Sequence, residues 1–590
     1  MKIKVLYVTL ITGILTLTIS CKDYLNTHPI SSSGPETVFS TVDNARKAVF
    51  GAYQDLAGDQ GYGIRVSMYF PYDSDIYMGA TGDGDGDRRD ISRYNLTPSN
   101  KQLFKPFNQL YQGIERANQC IKYIPQMDLY KNGSSQQTGE LHRLYGEALT
   151  LRAQYYFELV RDWGDVPAQW VPSADNPDLF LHKTNRDSIY DHIINDLHIA
   201  EAIVPWTSEV GSLGDPNDER ITKGAVKGLR ARIALYRGGY SLRKDGKMER
   251  SSDYLKYYQI ADSECASIIQ RPDEHSLDPS FQDLWKNDED AHRIDPYGEI
   301  MFQVAMSGGT GSTDSKLGYY NGPRVNGKGN SSVYPLPSYF YSFDSLDSRR
   351  DVTITPYWVN ADGTIVAQAV TSLADGKFRR NWITNPSFDP TNNAQNLGLN
   401  WPILRFSDVL LMYAEAENEI HNGPTQAAID AYLQVRERAF AGHPGDVGTP
   451  PANKAGFFNA IVNERAWEFG GEGIRKFDLV RWNLLGQKLN ETKTILADMA
   501  NHVAPYDQLP TTMYYKVGST TLEWANSLYK PAPASAPSGY TGVSWVTTTM
   551  TTSNNFDKYA EGFKPNHSEL FPLPQSVIET NPNLTQDYGY

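Results

Sequence analysis

Apolar residues recur at intervals of three and four through much of the chain, the spacing that puts one apolar stripe on a helix. Residues 41–56 and 104–124 carry such stripes. In residues 141–160 Leu141, Leu144, Tyr145, Ala148, Leu151, Tyr155 and Leu159 fall in register. Pro125 closes the second stretch, and Gly164 and Pro167 close the third. Residues 184–187, Thr-Asn-Arg-Asp, resemble a capping sequence before a helix carrying Ile189, Ile193, Leu197, Ala200 and Ile203, with Pro205 as its stop. Thr222 can cap the next helix, where Ala225, Leu229, Ile233 and Tyr236 align before Gly238 and Gly239, and residues 254–269 pair with it. Far downstream, residues 406–421 end at Asn422-Gly423, and Pro424-Thr425 open a partner helix that runs to Phe440. About four helix pairs result. Pairs in series predict a mainly α, tetratricopeptide-like superhelix, although no regular sequence repeat is visible.

The helical period lapses twice. Residues 271–400 are rich in Gly, Asp, Asn, Ser and Tyr, and residues 500–563 in Thr and Pro. Irregular stretches of this length inside a compact chain usually carry function. The last twenty residues, FPLPQSVIETNPNLTQDYGY, place Pro572 and Pro574 in an extended segment before a short helical turn.

Charge narrows the partners. Lys and Arg number 55 against 69 Asp and Glu, a net charge of −14 without a basic block, which argues against nucleic acid or anionic headgroups. Aromatics make up 12% of the chain, 37 of them Tyr, a surplus over what a core requires. At the N-terminus Lys2 and Lys4 precede an apolar run, residues 5–19, too short for a comfortable membrane span. Ser20-Cys21 at its end resembles a bacterial lipobox, which implies a signal peptide over residues 1–20 and lipidation of Cys21; the alternative is an ordinary signal peptide with an incidental Cys. Lys22-Asp23 resembles the charged signal that sends such lipoproteins to the cell exterior. No later apolar run is long enough to span, so the membrane attachment would be by lipid alone. Cys120 and Cys265 lie on apolar helix faces and are expected as small buried hydrophobes rather than a disulfide or metal pair.

Catalytic and metal motifs fail on inspection. Residues 322–329, GPRVNGKG, approach a phosphate-binding loop, but Gly329 replaces the hydroxyl residue, and neither the preceding strand nor the following helix is predicted; a flexible loop is expected. Asp83, Asp85 and Asp87 begin like a calcium loop, but Arg88 stands where Gly is needed and Tyr94 where Glu is needed. A solvated turn is expected there, with Ca²⁺ in another geometry or hydrogen bonds to sugar hydroxyls as the alternatives; no cofactor is expected otherwise. Carboxylates are plentiful, and sequence cannot show whether two of them hold a glycosidase separation.

Two blocks dominate what remains: WPILRFSDVLLMYAEAENE at residues 401–419 and NERAWEFGGEGIRKFDLVRW at residues 463–482. Arg405 and Asp408, Arg475 and Asp478, and Asp478 and Arg481 are each three apart, which on helices predicts internal ion pairs rather than catalysis. The blocks resemble the signature of the RagB/SusD family, from which only Phe406 and Ser407 depart in the first. LRAQYYFELVRDWGDVP at residues 151–167, AVKGLRARIALY at residues 225–236 and the terminal segment resemble other family motifs in the same order. The resemblance implies a cell-surface outer-membrane lipoprotein that binds an oligosaccharide and delivers it to a SusC-like TonB-dependent transporter, acting as its lid and performing no chemistry. It divides the chain into residues 1–20, an N-terminal helical region 21–275, and a C-terminal region 276–590 with an irregular ligand-side insert 276–400. A peptide-binding member of the same family and a lipid-anchored glycosidase are the alternatives.

A sugar site needs exposed aromatic faces with Asp, Asn, Arg or Gln beside them. Two stretches have that composition: residues 69–100, with Tyr72, Asp75, Tyr77, Arg89, Tyr94 and Asn95, and residues 283–341, with Trp285, Tyr319, Tyr320 and Tyr334. Arg88 and Arg324 lie in the same stretches. In glycan-binding members of the family the site comes from the loop before the second helix and from the irregular middle region, without a shared residue motif.

Overall fold

The Thr41 hydroxyl accepts from the Asn44 amide at 3.2 Å and starts the first long helix, α1, Val42–Gln54. In the computed structural model, which describes residues 34–79, 82–211, 219–306, 311–384, 390–391 and 393–590, ten more helices organise the chain. They are α2 (Phe104–Tyr123), α3 (Ser135–Trp163), α4 (Arg186–Ile203), α5 (Lys223–Gly238), α6 (Tyr254–Ile269), α7 (Phe406–Ile420), α8 (Gln426–Ala439), α9 (Lys454–Phe469), α10 (Arg475–Arg481) and α11 (Leu485–Ala500). The expected signal peptide and Cys21 lie outside the described residues.

The pairs α1–α2, α3–α4, α5–α6 and α7–α8 stack in that order. The insert between α6 and α7 leaves the stack and returns to it, since α7 packs on α6 as if the two were consecutive. The fold is therefore the expected helix-pair superhelix, and one cluster of buried apolar residues runs through it from Ala45 to Leu584. Helix α3 is longer than its apolar stripe because a capping box, Ser134 with Gln137, starts it early. Asn185, not Thr184, caps α4. Cys120 and Cys265 are free and buried.

The insert is built from short paired segments. Strand Ile300–Val304 pairs antiparallel with Trp401–Arg405, and every residue of both is buried. Tyr77–Met78 pairs with Tyr334–Pro335, which clamps the loop before α2 onto the insert. The segment expected as a flexible loop is a tight turn: Val325 and Lys328 exchange backbone hydrogen bonds at 3.0 and 2.8 Å around Asn326 and Gly327, both at positive φ. Val325 is buried against Val359 and Ile365, which pins it.

The two blocks form a buried ionic frame, with partners other than the helical spacing predicted. Arg405 ends a strand in extended conformation, so it cannot face Asp408 across a helical turn. Its guanidinium instead reaches Glu299 (2.6 Å), Glu468 (2.9 Å) and Glu472 (2.8 Å). Asp408 pairs with Arg232 and Arg465, each at 2.5 Å. Arg475 points away from Asp478 and binds Asp75 through both carboxylate oxygens, at 2.8 and 2.6 Å. Only Asp478–Arg481 forms as spaced, at 2.8 Å.

Candidate functional site

The Tyr77–Met78 pairing brings residues 58–79 and 82–103 against residues 311–341, and three tyrosines meet at the seam. Tyr319 and Tyr320 stand edge to face, centroids 5.1 Å apart at 87°, and Tyr69 meets Tyr320 at 6.3 Å and 74°. All three residues are half-buried and pack against the core. Asp87 caps the short helix Arg88–Ser92, which places Arg88 against the trio. Its guanidinium carbon lies 5.4 Å from the Tyr320 centroid and 6.0 Å from that of Tyr69, and Nη1 donates to the Tyr69 hydroxyl at 3.3 Å. No carboxylate pairs with Arg88 among the described residues. Burial raises the Tyr69 pKa, so the ring carries a neutral hydroxyl.

Polar groups ring the cluster. Arg65 lies 5.7 Å from the Tyr69 centroid and donates to the Asp59 carbonyl and to Gln102. Lys316 pairs with Asp59 at 2.8 Å, and Gln395 donates to the Tyr319 hydroxyl at 3.4 Å. Arg324 donates to the Asn330 carbonyl, whose amide is bonded to the Tyr319 carbonyl, and lies 4.8 Å from the ring of half-buried Trp358. The carboxylates beside the cluster are engaged: Asp59 by Lys316, and Asp87 by the Arg88 amide and Gln102. The face offers aromatic planes and guanidinium and amide donors, and no pair of free carboxylates lies beside it among the described residues.

The remaining sequence candidates fall elsewhere. Tyr72 is buried, with its hydroxyl donated to the Gly471 carbonyl at 2.7 Å. Tyr77 is buried in the strand pairing and packs on Tyr72 and Tyr339. Asp75 is locked to Arg475. Tyr94 is buried over Phe563, with its hydroxyl donated to the Asp73 carbonyl at 2.5 Å. Trp285 is 1% exposed and packs between Phe281 and Phe378 beneath Lys377. These five are framework, because each is closed off from solvent by its own partners. Asn95 is exposed but bonds Glu561, and half-buried Tyr334 holds its place through backbone pairing. Arg89 pairs with Asp85 at 2.6 Å. Asp83 turns to Lys558, Asp85 accepts from the Asp87 amide, and Asp87 caps a helix, so the three carboxylates do not converge on one point. Trp358, Gln102 and Gln395 were not singled out. The hairpin of Tyr357–Val359 with Ile365–Ala367, turned at Asp362-Gly363, was the one signal that could have found Trp358.

A separate cavity of about 410 Å³ opens beside the end of α1, lined by Phe50, Tyr53, Leu56 and Arg220. Its polar groups are engaged: the Tyr53 hydroxyl by the Ile221 amide, and Arg220 by Glu147. Among the described residues no helix is long and apolar enough to cross a membrane.

Comparison with known proteins agrees with this architecture. The sequence model of the SusD family matches residues 298–590, and a second model, described as starch-binding associating with outer membrane, matches residues 23–235. SusD-like protein P25 of Formosa agariphila is 24% identical over 526 residues, 82% of this chain and 92% of that one. A SusD homolog from Bacteroides thetaiotaomicron superposes with a TM-score of 0.74 at 22% identity, covering 94% of this chain and 98% of the other. Surface glycan-binding protein A from Bacteroides fluxus superposes with a TM-score of 0.64 at 21% identity, covering 93% and 100%. With the two models matching successive parts of the chain, and the ionic frame formed from the very blocks that carry the resemblance, the chain belongs to the SusD (RagB/SusD) family.

Proposed function

We propose that this protein binds an oligosaccharide at the outer surface of the outer membrane, on the face formed by Tyr69, Tyr319, Tyr320 and Arg88, and passes it to a SusC-like TonB-dependent transporter for which it acts as the lid. It is a binding protein and performs no chemical step. The observation that carries the proposal is the seam itself: three half-buried tyrosines, two edge to face and the third at 74° to its neighbour, around a guanidinium that no carboxylate pairs with among the described residues. Sugar rings offer flat C–H faces to such planes, and their hydroxyls accept from Arg88 and Gln395. The description of the family model over residues 23–235 as starch-binding, and a structural neighbour named as a surface glycan-binding protein, support the same ligand class.

The test is calorimetric titration of the purified protein with panels of oligosaccharides and of peptides. An oligosaccharide binds, and Tyr320→Ala weakens it at least about tenfold, or about 1.4 kcal/mol. Tight binding of peptides with no binding of any glycan would overturn the proposal. So would a glycan affinity that Tyr320→Ala and Arg88→Ala leave untouched.

A further inference from the structure

Basic groups gather around the tyrosine seam although the sequence carries no basic block. Half-buried Arg88 packs on Tyr320 and Tyr69 and donates to the Tyr69 hydroxyl. Beside Tyr319, the turn over residues 322–329 contributes Arg324 and Lys328, both half-buried. The Asn330 amide, just beyond that turn, donates to the Tyr319 carbonyl at 2.6 Å. Arg324 donates to the Asn330 carbonyl at 3.0 Å and rests on the ring of Trp358. Arg65 and Lys316 reach one and the same carboxylate, Asp59, at 3.9 and 2.8 Å. Among the described residues, Asp59 is the one carboxylate that any of these cationic side chains meets. The acidic residues nearest Arg88 in sequence are turned to other donors: Asp83 to Lys558, Asp85 to Arg89, Asp87 to the Arg88 amide and Gln102, and Asp90 to the Gly86 amide at 2.6 Å.

Guanidinium and ammonium groups donate hydrogen bonds and cannot accept them. The hydroxyls of a neutral sugar donate as well as accept, so a face this rich in donors meets only part of what they offer. An oxyanion on the sugar supplies acceptors and counter-charge together, and a guanidinium takes it through two parallel N–H bonds. Resting on the glycan reading of the seam, we infer that its ligand is an acidic oligosaccharide, one bearing uronate carboxylates or sulfate esters. Arg88 takes the oxyanion of the sugar on Tyr320, and Arg324 and Lys328 meet a second one on a longer chain. The turn over residues 322–329, which lacks the strand and helix of a phosphate loop, thus contributes through side chains rather than backbone amides. The chain as a whole is acidic, at −14. That distant charge is screened beyond roughly 10 Å at about 0.1 M salt, so the local cations decide the preference.

The experiment is calorimetric titration of the purified full chain with oligogalacturonides and with sulfated galactan oligosaccharides. Each is set against its carboxyl-reduced or desulfated form of equal length. At least one acidic form binds about tenfold or more tighter than its neutral counterpart, and the preference shrinks as salt rises from about 20 to about 200 mM. The uronate and sulfate arms tell the two oxyanions apart. Arg88→Gln brings the acidic and neutral forms to within about threefold of each other. The comparison of acidic with neutral forms uses the parent chain alone, so it does not depend on the folding of the variant. Neutral forms that bind the parent chain as tightly as acidic ones, and that Tyr320→Ala still weakens, would overturn the acidic ligand while leaving a glycan site at the seam. Binding of no glycan at all would overturn both. An acidic preference that survives Arg88→Gln in full would remove the oxyanion from this seam.

Discussion

Glu468 shows how much one residue holds in this fold. It is fully buried, and its carboxylate receives Arg405 at 2.9 Å and Arg438 at 2.5 Å on one oxygen and Arg349 at 3.0 Å on the other. Burial by itself would raise its pKa. Arg438, Arg405 and Arg349 outweigh burial and hold it well below the usual glutamate value. A depressed folded pKa adds stability that is fully present above the unfolded value near 4.5 and is lost as pH falls through the folded one. Glu468→Gln keeps the shape and removes the charge, leaving buried guanidinium groups short of a partner. It is expected to cost about 3–5 kcal/mol at neutral pH and to flatten the acid limb of the stability curve, both read from urea unfolding between pH 3 and pH 7 (roughly the range over which carboxylates titrate). An acid limb identical to that of the parent chain would refute it. At this scale the site was only half legible in the sequence. Composition pointed to the two stretches that meet at the tyrosine seam but could not separate half-buried Tyr319 and Tyr320 from Tyr72, Tyr77 and Trp285, which are buried. What separates them is contact with residues hundreds of positions away, such as Tyr72 with Gly471, and local sequence does not carry that information.

Among the elements, the helices were legible because period and punctuation are local. Residues 254–269 match α6, and residues 104–124 match α2 to one position. The misassigned ion pairs show the limit of local reading: Arg405 lies on a strand rather than on the helix of Asp408, and Arg475, although it shares α10 with Asp478, is taken by Asp75, 400 positions away. Helix contacts add a test. Gly113 on α2 faces α3, and a Cβ there would stand 2.3 Å from the Tyr155 ring. That ring is fully buried, with its hydroxyl bonded to the Ala52 carbonyl of α1, so it cannot swing away. Alanine improves helix propensity over glycine by about 1 kcal/mol, whereas overpacking a fixed ring costs about 1–3 kcal/mol. Gly113→Ala is therefore expected to destabilise on balance, with a lower urea midpoint at an unchanged slope. A raised midpoint would mean that α2 can move off α3.

On the scale of the whole molecule, the C-terminal part closes over the N-terminal repeats. The Phe571 amide donates to the Asp162 carbonyl at the end of α3, Lys183 pairs with Asp587 at 2.6 Å, and the buried Arg186 guanidinium meets the Tyr588 hydroxyl. Deeper in, Lys476 donates to the Phe70 carbonyl at 2.8 Å, and Arg475 grips Asp75 with both residues more than nine-tenths buried. These last two struts hold residues 69–79, the segment that begins with Tyr69 and pairs with the insert through Tyr77–Met78. The tyrosine seam thus depends on contacts between distant parts of one core. Arg475→Ala leaves the Asp75 carboxylate buried without its cation, a loss of about 3–5 kcal/mol. Because the strut joins the two parts through that core, the loss should appear as a shift of one cooperative transition, with tyrosine fluorescence and far-ultraviolet circular dichroism moving together. If residues 69–79 instead formed a separately melting flap, the two signals would part, and glycan affinity would fall at temperatures where the helices remain intact. Coincident curves would establish that the ionic frame and the tyrosine seam fold as one unit.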